Sequence, residues 1–316
     1  MLASSGKTHG NETRQWQAPA PHIAGTGLMR YLDQDGTPVT VYRAGRQRSG
    51  LISSLQQAGE DIAASRHVIV RLFWRDFIAQ FRQKILGYFW ALLSPLLGIV
   101  SFLFLFFIGV LKPGEGEIPY TLYVLMGSTI WGCLPGAMGA VSGGLQAQAD
   151  LIMRTRIPKL ALAVSSLANL LYSILISMVT MAIVFLVMGV TPSWWFLAYP
   201  LLVLPMVLLG TAIGLILSVL GPIARDLVPM ATQALALAMY VTPVIYVQST
   251  IQNPFVKTLI EWNPLTYLVD LPRSLICLGH ADNADIFLWV AIGTLMLVAI
   301  GLRIFYLLES LVAERL

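Results

Sequence analysis

The chain of 316 residues is 57% hydrophobic and only 11% charged, with a formal net charge of +4 and a mean hydropathy of +0.74. Soluble domains run at roughly 45–50% apolar and 25% charged, so this much apolar surface requires a bilayer as solvent. Two cysteines far apart in sequence, Cys133 and Cys277, offer neither a metal-binding spacing nor a disulfide framework.

The first 66 residues read as a polar cytoplasmic extension, partly disordered. A hairpin is possible about Asp35-Gly36, with Val39 to Tyr42 as its second strand. Gly6-Lys7-Thr8 is not a phosphate loop, because the glycine required five positions before Gly6 falls at Met1 and no strand precedes it. The sequon at Asn11 lies on the side argued below to be cytoplasmic and carries no weight.

An amphipathic interface helix is expected over 67–88. Val70, Phe73, Trp74, Phe77, Ile78, Phe81 and Ile85 share one face at helical spacing. Arg71, Arg75 and Arg82 cluster beside it, within about 40° on a helical wheel. Aromatic rings at the acyl boundary with arginines reaching to phosphates suit a helix lying in the membrane surface. The same helix serves either as an anchor alone or also as a docking face for another protein.

Charge-free length then places six transmembrane spans, near 89–111, 118–145, 160–188, 196–220, 227–248 and 286–308, before a tail at 309–316. No charged residue occurs between Lys159 and Arg225, and GVTPSWW at Gly189 to Trp195 supplies the turn that divides this run into two spans. With the N-terminus inside, Arg71, Arg75, Arg82, Lys84, Arg154, Arg156, Lys159, Arg225, Arg303 and Arg315 are cytoplasmic. Only Lys112, Lys257 and Arg273 face out. That imbalance puts both termini in the cytoplasm. The first apolar run begins near residue 89, so no cleavable signal peptide is expected.

Chemistry is notable for what the spans lack. Their deep parts carry no ionisable residue, and His9, His22, His67 and His280 all lie outside them. A proton relay or an intramembrane metalloenzyme needs such groups. No Walker motif is present, so an energy source must sit on another chain. Two short charged segments between spans are candidate contacts for it, ADLIMRTRIPKLALAV with Asp150, Arg154, Arg156 and Pro158, and GPIARDL with Arg225 and Asp226. Each can equally be read as a positively charged flank.

These stretches together resemble a known family. RDFIAQFRQKILGYFWALLSP, with Arg75, Asp76, Leu86, Gly87, Trp90 and Pro95, is similar to the interface helix and first span of the type-2 ABC export permeases that move polysaccharides, O-antigen and teichoic-acid-like glycans. ADLIMRTRIPKLALAV resembles the segment after their second span, with Asp150 for the usual Asn and Ile157 before Pro158. YVTPVIY and NPLTYLVDLPRSLI match the end of the fifth span and the segment before the sixth. The resemblance covers about 68–308.

The resemblance implies an all-α integral membrane protein that works as a homodimer with two cytoplasmic ABC ATPase subunits. No cofactor or metal is expected on this chain, ATP and Mg belonging to the ATPase. ATPase coupling would fall to Arg75, Asp76, Arg82, Lys84, Asp150, Arg154, Arg156, Pro158, Arg225 and Asp226. Short re-entrant helices from about Gln252 to Ile276 would line the exit, with Trp262, Asn263, Pro264, Asp270 and Arg273; Trp262, Pro264 and Pro272 are expected to break that segment.

The implied cargo is a lipid-linked polysaccharide moved from the cytoplasmic to the outer face of a bacterial inner membrane. A sugar path wants rings with an apolar face and a polar edge. Tyr88, Trp90, Tyr120, Tyr123, Trp131, Tyr172, Tyr240 and Tyr246 are the candidates. Arg75, Arg82, Arg154 or Arg156 would meet carrier phosphates at the cytoplasmic mouth. Rival readings are a type-2 permease for a drug or simple lipid, and a non-ABC channel or glycan-processing enzyme. The enzyme is disfavoured because no loop gathers the carboxylates needed to act on a glycosidic bond.

Overall fold

A computed structural model describes residues 30–32, 38–40, 51–82, 87–109, 117–148, 158–248 and 251–313. The chain divides into two units, Met1–Arg46 and Gln47–Leu316. In the first, strands β1 (Arg30–Leu32) and β2 (Pro38–Thr40) pair antiparallel, Tyr31 opposite Val39.

The second unit is helical among its described residues. α1 (Leu51–Arg82) is one helix of 32 residues, so the stretch expected as interface helix is the second half of a longer element that starts at Leu51. α2 (Gly87–Phe107) runs through Pro95 without a break and ends before Gly109, whose φ of 75° turns the chain. α3 (Tyr120–Ala147) follows. The expected third span is interrupted, with α4 (Lys159–Ser165) and α5 (Ala168–Met188) meeting at Ser166-Leu167.

The fourth expected span is also segmented. A 3-10 turn at Trp194–Ala198 leads into α6 (Tyr199–Leu202) and α7 (Leu204–Leu220), with Pro200 and Pro205 in the opening turns of these two helices, where a missing N–H costs nothing. α8 (Leu227–Val241), α9 (Pro254–Trp262), α10 (Pro264–Cys277) and α11 (Ala284–Ala313) complete the unit.

Four stretches are long and apolar enough to cross a membrane: Tyr120–Leu145, Lys159–Met188, Trp194–Leu220 and Ala284–Leu308. Leu92–Phe107 and Leu227–Val241 are shorter apolar helices.

α3 is the centre of the bundle. Leu122, Leu125, Met126, Ile130 and Leu134 are fully buried along it, and its main neighbours are α7, α5, α4 and α2. The approach of α7 to α3 depends on missing side chains. A Cβ on Gly210 would strike the Leu134 carbonyl, and one on Gly214 would strike Val141 and Met138. Lipid tails give apolar helices no hydrophobic reason to associate, so close backbone packing over small residues supplies the attraction. α11 packs on the other side of α7, with Gly301 set against the backbone of Ala212.

At one end of the bundle a smaller core joins Ala58 of α1 to Leu145, Leu160, Leu215, Val219, Leu302 and Phe305. There the Tyr306 hydroxyl donates to Asp61 Oδ2 at 2.7 Å, fixing α1 to α11.

Candidate functional site

The other end of the bundle holds the polar constellation. It begins where α8 stops. Proline at 243 pushes the preceding residue out of helical conformation, and Thr242 is extended (φ −99°, ψ 138°). The fifth expected span, placed at 227–248, therefore ends as a helix at Val241. Residues 242–247 continue as irregular chain with Thr242, Val244 and Ile245 buried. Irregular backbone exposes carbonyls, and a buried carbonyl without a donor costs several kcal/mol.

Four of those carbonyls, at 243 to 246, find donors from other elements. The Tyr120 hydroxyl donates to Ile245 O at 3.0 Å. The Tyr123 hydroxyl lies 2.9 Å from Tyr246 O and 3.2 Å from Pro243 O. Arg273 Nη2 donates to Pro243 O at 2.9 Å and lies 3.5 Å from Val244 O. Tyr120 and Tyr123 sit at the start of α3 and Arg273 in α10, so three elements converge on one unwound segment.

Arg273 is the anchor. Only 2% of it is exposed, and its guanidinium carbon lies 3.7 Å from the centroid of the Tyr123 ring. Nη1 pairs with Asp270 Oδ1 at 3.1 Å, one turn back on α10. A planar fork with five donors can bind a carbonyl, a carboxylate and a ring face together, where an ammonium could not. Space for it comes from Gly127 of α3, since a Cβ there would collide with the Val244 carbonyl and with Arg273 Nη2.

α9 and α10, 9 and 14 residues long, reach about 14 and 21 Å and are too short to cross a hydrocarbon layer of about 30 Å. Both start at an Asn-Pro pair. The Asn253 side chain accepts from Phe255 N–H and that of Asn263 from Leu265 N–H, each with proline at the next position. This is an N-cap followed by the residue best suited to the first helical position. Asn263 Nδ2 also donates to Thr242 Oγ1 at 2.9 Å, tying the junction to the end of α8. Thr266 and Tyr267 hydroxyls donate to Ile260 and Glu261 carbonyls, holding α10 to α9. Pro272 does not break the segment as expected. It lies buried inside α10, among Leu268, Val269, Leu271, Leu275 and Ile276, and their burial offsets one lost backbone bond.

The predicted site residues fall into separate places. Tyr120, Tyr123, Tyr246, Asn263, Asp270 and Arg273 come together here, with the Tyr246 hydroxyl donating to Tyr240 O at 3.0 Å. Pro264 opens α10 and Trp262 is 83% exposed. Trp131 is buried in the core, and Tyr172 meets the Phe77 ring edge-on at 6.0 Å. Tyr240 faces outward from α8. Tyr88 and Trp90 fall in α2, but their side chains lie outside the described residues.

Of the coupling candidates, Arg75 Nε donates to Asp76 Oδ1 at 2.8 Å on the surface of α1. Arg82 is the last residue of α1, its side chain outside the described residues. Pro158 caps α4, and Arg225 and Asp226 are exposed in the turn before α8. Lys84, Asp150, Arg154 and Arg156 lie outside the described residues. Gly127, Thr242, Asn253 and the Asp61–Tyr306 pair were not foreseen. The repeated Asn-Pro was a readable signal for Asn253. Among the described residues no group of three or more His, Cys, Asp or Glu gathers as a metal site.

Residues 67–276 match the model of the ABC-2 type transporter family. The chain is similar to the O-antigen export system permease protein RfbA of Myxococcus xanthus, 25% identical over 72% of this chain and 90% of that one. It is 26% identical to an O-antigen export system permease protein RfbA of Klebsiella pneumoniae, over 76% and 91%. The polysialic acid transport protein KpsM of Escherichia coli is 22% identical over 74% and 90%. On the family match, which covers most of its length, this chain belongs to the ABC-2 type transporters.

Proposed function

We propose that the chain is the membrane subunit of an ATP-driven exporter that moves a lipid-linked polysaccharide from the cytoplasmic to the outer face of a bacterial inner membrane. One observation carries this reading. Relatives named for two different polysaccharides, O-antigen and polysialic acid, align over about nine-tenths of their own length. That breadth favours glycan over a drug or simple lipid as cargo.

In this reading α2 and α8 join the four longer stretches to make six spans. α2 has 21 residues, about 32 Å of helix. α8 is shorter, but the buried chain of 242–247 extends its path, which is tolerable where irregular backbone is enclosed by protein. α9 and α10 are the short re-entrant helices at the outer face. The charge imbalance puts α1, Arg225 and Arg303 on the cytoplasmic side.

The working unit is a homodimer with two ATPase subunits. α8 has no buried residue, and Met230, Leu237 and Tyr240 project from it. α2 exposes Leu97, Val100, Phe104 and Phe107. A second copy set against these faces would enclose a path between two subunits. The outer half of α1 carries exposed Val70, Trp74 and Ile78 beside Arg75, the composition of a helix lying in the membrane surface.

α1 packs on α4, α5 and α11, so an ATPase closing against α1 and the charged turns would push three elements at once. ATP and Mg stay on that partner, and this chain supplies the path and the lever. Purification of the chain from membranes tests the assignment. An ATP-binding subunit co-purifies in equal number, and a preparation that acts on its cargo with no such subunit would refute the reading.

A further inference from the structure

Beside the Arg273 anchor lies a cavity of about 250 Å³ that the hydrogen bonds described above do not fill. Its floor is made by Tyr123 and Arg273, both buried. Its mouth carries Asp282 and Asn283, both exposed, with Gln248 and Tyr267 half-buried on the walls. Arg273 Nε is buried and has no hydrogen-bond partner. A charged donor left unpaired in a buried site is costly, and the expected remedy is an acceptor inside the cavity.

The chemistry of the lining limits what that acceptor is. The charged groups are Asp270, Asp282 and Arg273, two negative against one positive, and Arg273 is already engaged by Asp270. A phosphate or other anion would meet net repulsion. An apolar cargo would leave the buried Arg273 Nε unpaired and would displace water from the half-buried Gln248 amide without replacing its hydrogen bonds. A neutral ring carrying several hydroxyls answers all of these. Each hydroxyl both donates and accepts, so one can accept from Arg273 Nε while its neighbours donate to Asp282 and exchange bonds with Gln248 and Asn283. The volume lies just below the roughly 300 Å³ at the small end of ligand pockets. That suits one sugar ring, not a length of chain.

We infer that this cavity is a subsite at the outer face that holds one neutral sugar residue of the exported glycan, with Arg273 Nε, Asp282, Gln248 and Asn283 reading its hydroxyls. The inference rests on the export reading above and adds to it a place where the glycan is gripped after crossing.

The test uses the full chain with its ATPase, in cells whose own copy is deleted. Val247 lines the cavity without a polar role, so Val247→Cys labelled with a small alkyl diazirine reagent, which leaves room for a ring, puts a photo-crosslinker at its wall. Lys257→Cys, on exposed α9 outside the lining, is the control and shares the two natural cysteines. Irradiation is expected to attach glycan to the purified chain from Val247→Cys and not from Lys257→Cys. In parallel, Asp282→Asn and Gln248→Ala each slow the appearance of surface glycan about 2- to 10-fold, the worth of one hydrogen bond, at unchanged membrane abundance.

No adduct at Val247→Cys in cells whose surface glycan still depends on the chain would overturn the subsite alone. Equal adducts at both positions would do the same. Surface glycan that does not depend on the chain would overturn the export reading and the subsite with it.

Discussion

The guanidinium carbon of Arg273 lies 3.7 Å from the centroid of the Tyr123 ring, Arg273 Nη2 donates to the carbonyl of Pro243 at 2.9 Å, and the Tyr123 hydroxyl stands 3.2 Å from the same oxygen. Two side chains 150 positions apart thus share one acceptor on a third element. The consequence is that α3, the end of α8 and α10 are locked as a unit. None of the three can shift without exposing a buried carbonyl or a buried charge.

Replacing Arg273 should therefore be among the most damaging single changes at this end of the molecule. Arg273→Met removes the donor to the buried carbonyls of Pro243 and Val244 and the partner of Asp270, and each buried acceptor left short of its donor costs about 1–3 kcal/mol. Arg273→Lys keeps the charge but not the fork and should fall between this variant and the parent. Thermal unfolding of the purified chain in detergent gives the ranking, parent above Lys above Met.

Tyr123→Phe keeps the ring beneath Arg273 and removes the hydroxyl that serves Pro243 O and Tyr246 O. An expected loss of about 1–3 kcal/mol follows from leaving a buried acceptor unpaired. Tyr246 O loses its described donor, whereas Pro243 O keeps Arg273. Hydrogen exchange should consequently rise most around 245–247, and Tm should drop less than in Arg273→Met.

Gly127→Ala inserts a methyl where the Val244 carbonyl and Arg273 Nη2 already stand. Overpacking of this kind costs about 1–3 kcal/mol. Gly139→Ala on the same helix meets open space and should leave Tm unchanged or slightly raised, since alanine is the better helix former. The pair separates steric collision from helix propensity.

The opposite end of the bundle has its own titrating contact. Burial raises the Asp61 carboxyl above its ordinary value of 3.8, the Tyr306 hydrogen bond opposes the rise, and Glu60 adds to it. A raised folded-state pKa means the folded chain holds this proton more tightly than the unfolded one. Asp61 therefore favours the folded state least once pH exceeds the raised value, and its contribution declines as pH climbs upward from 3.8. Asp61→Asn keeps an acceptor for Tyr306 and should flatten that part of the stability–pH curve. An equally steep curve in Asp61→Asn would show that another group is responsible.

How much of this could be read beforehand varies by feature. The apolar helices were legible because lipid tolerates few charges, and the long uncharged run from Lys159 to Arg225 left little else to conclude. The end of α8 was placed several residues late because hydropathy continues through VTPVIY, whereas Pro243 stops the helix at once. Pro264 is expected as a breaker, yet with Asn263 as its cap it starts a helix. Arg273 stands out in the sequence as one of three outward basic residues and, by the resemblance, as part of the exit segment. Its partners at 243 and 244 could not be found, because backbone carbonyls carry no mark in a sequence. Gly127 looked like any glycine in an apolar helix, and only the arrival of Arg273 from α10 gives it a reason.

The central claim is export of a lipid-linked glycan, and the direct measurement is the side of the membrane on which that glycan stands. In cells with the chain deleted, the account predicts loss of glycan from the outer face and accumulation of its lipid-linked form on the cytoplasmic face, both reversed by the intact chain. Unchanged glycan at the outer face after deletion would contradict it.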